Sequence, residues 1–175
     1  MKNIAILAAC VLALAAAPGV VKAYDVGDRL HLSLGAGSGY LVGSTSADTA
    51  PEDTVSRRYP TFLDMGLDWG LTDKVGLGLH LAGTLEDSVA VGITPRVTWF
   101  IIPDPVVVCL KAGPTFYADP FLFGVEVSFS IAYMFNNYIG LEFAASPQIL
   151  FVGDNLSGEG VLAPLLFSLG IRGSI

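Results

Sequence analysis

The sequence is poor in cysteine, in histidine and in charged residues. Cysteine occurs twice in 175 residues, at Cys10 and Cys109, and histidine occurs twice, at His31 and His80. These residues are too few and too far apart to form the closely spaced ligand sets of transition-metal sites, so we expect no metal and no cofactor. Charged residues make up 14% of the chain, and the formal net charge is −7. An acidic chain without a basic stripe is not expected to bind nucleic acid.

Long apolar runs are also missing, except at the N-terminus. Lys2 precedes an apolar run over residues 4–17, and Val21-Lys22-Ala23 ends in a small residue. This order is typical of a secretory signal peptide cleaved after Ala23, and the run is shorter than the roughly 18 residues that a membrane-spanning helix needs. We therefore predict a signal peptide over residues 1–23 and one mature domain over residues 24–175.

Cleavage at this position would change both the charge and the thiol count. Two of the nine Lys and Arg residues lie in the predicted signal peptide, so seven would remain against sixteen acidic residues, a net charge of −9. Cys109 would be the only cysteine left, which excludes an internal disulfide in the mature chain.

Apolar residues alternate with small or polar residues along the mature chain, most clearly at its C-terminus. Successive side chains of a strand point to opposite faces, so this alternation predicts a strand with one apolar and one polar face. The polar face of the last segment carries Ser168, Gly170, Arg172 and Ser174. Its apolar face carries Val161, Ala163, Leu165, Phe167, Leu169, Ile171, Gly173 and Ile175.

The same alternation predicts eight strands in all. In a secreted chain it indicates an all-β fold, an eight-stranded antiparallel up-and-down transmembrane β-barrel with a lipid-facing exterior and a polar interior. A lipocalin-like soluble barrel fits less well, because every segment has an uninterrupted apolar face. The predicted strands are Asp28–Val42, Tyr59–Leu71, Val75–Thr84, Val89–Ile101, Val106–Ala118, Phe121–Phe135, Tyr138–Val152 and Val161–Ile175.

The connections alternate in length, which predicts an orientation. Short turns of outer-membrane barrels lie in the periplasm and longer loops lie outside the cell, so both termini are expected in the periplasm. The expected periplasmic turns are residues 72–74, 102–105 and 136–137. The expected outer loops are residues 43–58, 86–88, 119–120 and 154–160.

On these features the chain resembles the small eight-stranded outer-membrane barrels of the OmpA and OmpX type. The resemblance covers residues 24–175 and includes the C-terminal pattern from Phe167 to Ile175. It implies an outer-membrane location in a Gram-negative bacterium, with outer-membrane lipid, lipopolysaccharide and the barrel-assembly machinery as partners. That machinery usually reads a terminal aromatic residue, where this chain has Ile175. We expect a monomer.

Charged residues at inward positions are the candidate functional site. Four basic and four acidic side chains would balance inside the barrel, and an eight-stranded barrel is just wide enough for side chains to fill it. We therefore predict a structural plug of ion pairs. Hairpin extrapolation places Arg172 opposite Glu142, Lys111 diagonal to Glu126, and Arg96 opposite Lys111. The eight predicted residues are Arg29, Asp64, Asp68, Arg96, Lys111, Glu126, Glu142 and Arg172.

Three functions are compatible with this pattern. The leading hypothesis is a non-enzymatic barrel with a structural or surface-interaction role, for which residues 44–58 are the candidate binding loop. The second is a small channel with a narrow gated ion path. The third is a lipid-modifying enzyme, since His31 and Ser33 have suitable residue types and His80 is expected between Asp64 and Asp68.

Overall fold

The computed structural model describes residues 27–44, 54–86, 90–102, 106–153, 156 and 160–175, which form one closed barrel. Each strand pairs antiparallel with the next, and β8 pairs with β1. The predicted signal peptide and the centre of the predicted binding loop lie outside the described residues. The strands are β1 Leu30–Ser44, β2 Thr54–Gly70, β3 Val75–Thr84, β4 Val91–Ile102, β5 Val106–Ala118, β6 Phe121–Met134, β7 Ile139–Gly153 and β8 Val161–Ser174.

The predicted eight-stranded antiparallel barrel is confirmed, and β3 and β5 have the predicted bounds. The largest difference is the first hairpin, where the predicted loop of residues 43–58 is too long. β1 and β2 continue pairing as far as Ser44 and Thr54, so Arg57 and Arg58 belong to β2. The alternation weakens in this polar region, but backbone pairing does not require it.

The two ends of the barrel differ. The end that holds the start of β1 and the finish of β8 is called here the terminal end, and the opposite end is called the loop end. At the terminal end short turns join β2 to β3 and β6 to β7. The turn after β6 is closed by Asn136, whose side-chain oxygen accepts from the backbone N–H groups of Tyr138 and Ile139.

Alternate side chains point outward and inward, as the pattern predicts. In β6 and β8, exposed outward residues alternate with buried inward ones; Leu169 is 51% exposed, whereas its neighbour Ser168 is 9% exposed. The outer surface therefore carries large apolar side chains and the interior carries polar ones. The described residues contain no helix long and apolar enough to cross a membrane.

Glycines in β1 allow a close approach between the two strands that close the barrel. A Cβ at Gly37 or Gly39 would collide with the backbone carbonyl of Phe167 or Leu165, respectively. The register between β1 and β2 also shifts by one residue between these glycines. Larger residues at these positions would push β1 away from β8.

The β4–β5 ladder is interrupted at mid-strand by two prolines. Pairing stops after Ile93 with Phe116 and resumes at Val97 with Ala112, and the register between them sets Pro95 opposite Pro114. Proline has no backbone N–H, so neither residue can donate a backbone hydrogen bond to the opposite strand. On the lumen side the Thr94 hydroxyl donates to the Thr115 hydroxyl at 2.8 Å and links the two strands there.

Replacing Pro95 with Val tests the cause of this interruption. The new amide is expected to donate to the Pro114 carbonyl and to be protected from hydrogen exchange as well as the amides of Ile93 and Val97 are. Exchange measured residue by residue in lipid gives the answer. An unprotected amide at position 95 would mean that the strands are separated there for another reason.

The outward assignment of Leu169, near the middle of β8, gives a second prediction. Replacing Leu169 with Arg should cost about 2–4 kcal/mol in free energy of unfolding, because a charge on the lipid face is costly near the bilayer midplane. The matched control is Val161→Arg on the same face at the loop end, with an expected cost of about 0–1 kcal/mol. Urea unfolding in lipid vesicles measures both. Equal costs would contradict the assigned depth.

Candidate functional site

Seven of the eight predicted charged residues are brought together inside the barrel. Asp68, Arg96, Lys111, Glu126, Glu142 and Arg172 are buried, and Asp64 is partly buried. Arg29 lies before β1 at the terminal end, is only partly buried, and takes no part in the ion pairs formed within the described residues. Its position follows the inward parity of β1, but it is too near the end of the barrel to join the others.

The first group of contacts centres on Asp68. Arg96 binds this carboxylate in a bidentate way: its Nε donates to Oδ1 at 3.0 Å, and its Nη2 donates to Oδ2 at 2.8 Å. The Thr98 hydroxyl donates to the same carboxylate at 2.8 Å. A planar guanidinium matches a carboxylate in this geometry, which makes the pair strong and directional.

Lys111 connects this group to a second carboxylate. Its Nζ donates to Glu142 at 3.0 Å and lies 3.8 Å from Asp68. Arg172 Nη1 also donates to Glu142, at 3.2 Å. These residues come from β4, β2, β5, β7 and β8 in turn, so one continuous set of contacts, here called the lysine chain, crosses the lumen from Arg96 to Arg172.

A second set of contacts, here called the histidine chain, lies nearer the loop end. His80 Nδ1 is 3.1 Å from Glu126, and Nε2 is 3.9 Å from Asp64. Three further side-chain hydrogen bonds extend this set from the two carboxylates. They are Gln148 to Glu126 at 2.7 Å, Tyr117 to Gln148 at 2.8 Å, and Ser168 to Asp64 at 2.8 Å.

The register-based pairings agree with the structure in part. Arg172 stands opposite Gly140, two residues from the expected placement opposite Glu142, although its guanidinium does contact Glu142. Lys111 is diagonal to Glu126 in the register, but its ammonium contacts Glu142 and Asp68 instead. Residue 111 stands opposite Thr98, so the expected placement opposite Arg96 is wrong by two residues.

The expected partners of His80 also need correction. It was expected between Asp64 and Asp68, the inward carboxylates of the neighbouring strand. In the structure the second carboxylate is Glu126 of β6, which reaches across the lumen, while Asp68 is occupied by Arg96. Strand neighbours alone do not reveal such contacts.

Apolar side chains cluster inside the barrel at both ends, which was not predicted from the sequence. At the terminal end Phe100, Val107, Cys109, Ala132 and Met134 form one buried cluster. At the loop end Tyr117, Leu122 and Leu150 form another, with Ala90, Leu156 and Leu162 packed against it. The alternation of inward and outward positions, continued to the ends of the strands, would have placed Phe100, Leu122 and Met134 inside the barrel.

Small side chains line one wall of the interior. β1, β7 and β8 contribute Gly35, Ala144 and Gly170, and long charged residues reach in from β4 and β5 on the opposite wall and, as Glu142, from β7. A cavity of about 20 Å³ lies between them and is lined in part by Asp64, His80, Arg96, Lys111 and Glu142. A cavity of this size holds about one water molecule.

The other histidine is part of the terminal-end packing. The ring of His31 is buried, and its centroid lies 5.3 Å from that of Phe100. The guanidinium of Arg172 lies over the same phenyl ring at 5.8 Å. This environment suits a packing role. Within the described residues no group of three or more His, Cys, Asp or Glu side chains could hold a metal ion.

An exposed polar cluster ties β2 to the end of β3 at the loop end. Glu86 accepts from the Thr61 hydroxyl at 2.5 Å, from the Thr61 backbone N–H at 3.1 Å and from Arg58 at 3.2 Å. The hydrogen bonds from Thr61, followed by the charge of Arg58, lower the pKa of Glu86. The cluster is therefore complete above the usual carboxyl range and is lost as pH falls through the lowered pKa.

Comparison with known proteins identifies the fold. No family model matches the chain, and no curated protein matches it in sequence. Among solved structures, the N-terminal β-barrel domain of Pseudomonas aeruginosa OprF has a TM-score of 0.61 at 10% identity, covering 85% of this chain and 98% of that one. The outer membrane protein OprG from the same organism has a TM-score of 0.57 at 12% identity, covering 86% and 97%.

A third similar structure is Neisserial surface protein A, with a TM-score of 0.53 at 12% identity, covering 81% of this chain and 96% of that one. At such identities the likeness shows the fold alone. The chain has the fold of the small eight-stranded outer-membrane barrels, which confirms the resemblance stated from the sequence at this level.

The Lys111–Glu142 contact can be measured by a double-mutant cycle. Lys111→Met and Glu142→Gln should each destabilise the barrel, and the double variant should be less harmful than the sum, with a coupling energy on the order of 1–3 kcal/mol. The matched control is Lys111→Met with Glu126→Gln, whose coupling should be within about 0.5 kcal/mol of zero. Equal coupling in the two cycles, measured by urea unfolding in vesicles, would contradict the assigned pairs.

Proposed function

We propose that this protein is a non-enzymatic outer-membrane barrel with a structural or surface-interaction role and a closed lumen. The observation that carries the proposal is the filling of the interior by four successive layers. From the terminal end these are the Phe100 cluster, the lysine chain, the histidine chain and the Tyr117 cluster. This filling of the described part of the barrel supports a lumen without a continuous water path.

The outer surface supports a membrane location. Large apolar side chains are exposed on all eight strands. Such a surface is unfavourable in water and favourable in lipid. Aromatic residues fall near both ends of the barrel, where amphipathic rings settle at membrane interfaces. Exposed rings are Trp69, Trp99, Phe135 and Tyr138 toward the terminal end, and Tyr40, Phe116, Phe121 and Phe151 toward the loop end.

The orientation and partners follow from the same proposal. With the terminal end in the periplasm, the connections of β1 to β2 and of β7 to β8 face outside, where surface interactions occur. Outer-membrane lipid and lipopolysaccharide surround a monomer, and β8, ending at Ile175, is the segment offered to the barrel-assembly machinery. Localisation in the outer membrane of a Gram-negative bacterium is part of the proposal.

The geometry of the histidines argues against the lipid-modifying enzyme. A general base needs a free ring nitrogen beside the group that it deprotonates. Both nitrogens of His80 face carboxylates, and His31 is packed at the terminal end, far from the outer leaflet in the proposed orientation. Neither histidine is placed to activate a serine.

One observation favours the second candidate, a narrow channel. The small-residue wall and its cavity of about 20 Å³ show that the charged middle of the lumen is not perfectly filled. A rearrangement of the lysine chain toward one side would widen this space. The apolar clusters at both ends would still have to open.

Conductance in planar bilayers separates the two candidates. The purified barrel is expected to give no discrete current steps, because both ends of the lumen are closed by buried apolar side chains. The matched variant is Phe100→Ala, Tyr117→Ala, which removes one ring from each apolar cluster. It should conduct ions if the charged layers alone do not close the lumen.

Regular single-channel openings from the unmodified barrel would contradict the proposed closed lumen and establish the channel. Mass spectrometry of lipid A from a deletion strain tests the enzyme. A lost lipid A modification there would overturn the non-enzymatic assignment.

A further inference from the structure

His80 occupies an unusual position between two carboxylates from different strands. Its Nδ1 lies 3.1 Å from Glu126 of β6, and its Nε2 lies 3.9 Å from Asp64 of β2. The side chains of His80 and Glu126 are more than nine-tenths buried, so water screens the contact little. A neutral imidazole has one N–H and can donate to only one of these carboxylates. An imidazolium has an N–H on each side, one within hydrogen-bond distance of Glu126 and the other at ion-pair distance from Asp64.

The charges of the lumen point the same way. The described lumen holds four carboxylates, Asp64, Asp68, Glu126 and Glu142, against three permanent cations, Arg96, Lys111 and Arg172. Arg29, which would complete the balance expected from the sequence, lies outside these contacts. A buried negative charge left over in an apolar wall is costly, and one additional cation would neutralise it.

We propose that His80 is the fourth cation, a buried proton-binding site that holds the histidine chain together as an imidazolium at neutral pH. The proton ties Glu126, and through it Gln148 and Tyr117, to Asp64 and Ser168 on the opposite wall. This inference goes beyond the proposed function, because it assigns a bound proton and a pH response to a barrel that the proposal treats as static.

The groups that face His80 determine how the site responds to pH. Asp64 and Glu126 favour the proton directly. Arg96, on the adjacent β4, opposes it but is itself paired with Asp68. Lys111 and Glu142 line the same cavity and are paired with each other. Release of the proton at alkaline pH leaves one net negative charge in the lumen and breaks one link of the histidine chain, so the plug should loosen as pH rises.

Nitrogen NMR of ¹⁵N-histidine-labelled protein in lipid nanodiscs tests the site directly. The chain has only two histidines, so His31→Gln leaves a single imidazole signal. At about pH 7 both ring nitrogens of His80 are expected to carry hydrogens, and one should lose its hydrogen on titration toward about pH 9. A single protonated nitrogen at neutral pH would overturn the proposal.

Carboxamide variants test which groups hold the proton. Glu126→Gln and Asp64→Asn should each move the release of the proton to lower pH, because each removes one adjacent negative charge. The matched control is Glu142→Gln, a buried lumen carboxylate whose partners are Lys111 and Arg172, for which a smaller change is expected. Should Glu126→Gln fail to fold, Asp64→Asn still decides, since that carboxylate is partly exposed.

The assignment of the two carboxylates fails if Glu142→Gln changes the titration as much as Asp64→Asn or Glu126→Gln does. Conductance is not used in this test, so the proton site can fail while the closed lumen stands, and the reverse.

Discussion

One ammonium group joins the two halves of the buried charge network. Lys111 contacts Glu142 at 3.0 Å and Asp68 at 3.8 Å, and each of these carboxylates has its own guanidinium partner. Without the ammonium, two arginine–carboxylate pairs would remain on opposite sides of the lumen with no link between them. Because these charges are buried away from water, each is stabilised only by partners inside the barrel.

The arrangement of layers follows from the same constraint. Charged and hydrogen-bonding side chains occupy the middle of the lumen, where a cavity of about 20 Å³ leaves room for about one water molecule to replace a missing partner. Apolar side chains occupy both ends, as Phe100 and Met134 do at the terminal end and Leu122 does at the loop end. These clusters keep water away from the charged layers and so strengthen the ion pairs within them. The closed lumen that we propose would thus be a consequence of how its charges are stabilised.

The sequence predicted the fold closely and the site only partly, for a physical reason. Alternation reports the face on which a side chain lies, so Ser168 and Leu169 are assigned correctly, and so is the inward set that includes Asp68 and Lys111. Hairpin register reports neighbours within the wall, so it identified Arg172 and Glu142 as neighbours, although they are diagonal and not opposite. The contact of His80 with Glu126 depends on which inward residues reach the same height on opposite walls, and that is set by the strand stagger around the whole barrel. No single hairpin contains this information.

The unequal walls explain how such long side chains fit at all. An eight-stranded barrel has room for inward side chains but cannot hold large ones from every strand at one height. β1 and β8 carry Gly35, Gly37 and Gly170 where β4 and β5 carry Arg96 and Lys111. The glycines also let β1 and β8 approach closely at this height, while the large inward side chains of these two strands, such as His31 and Arg172, lie nearer the terminal end. The residues that permit closure of the wall and those that fill the lumen are therefore complementary, and a change in either set must be matched in the other.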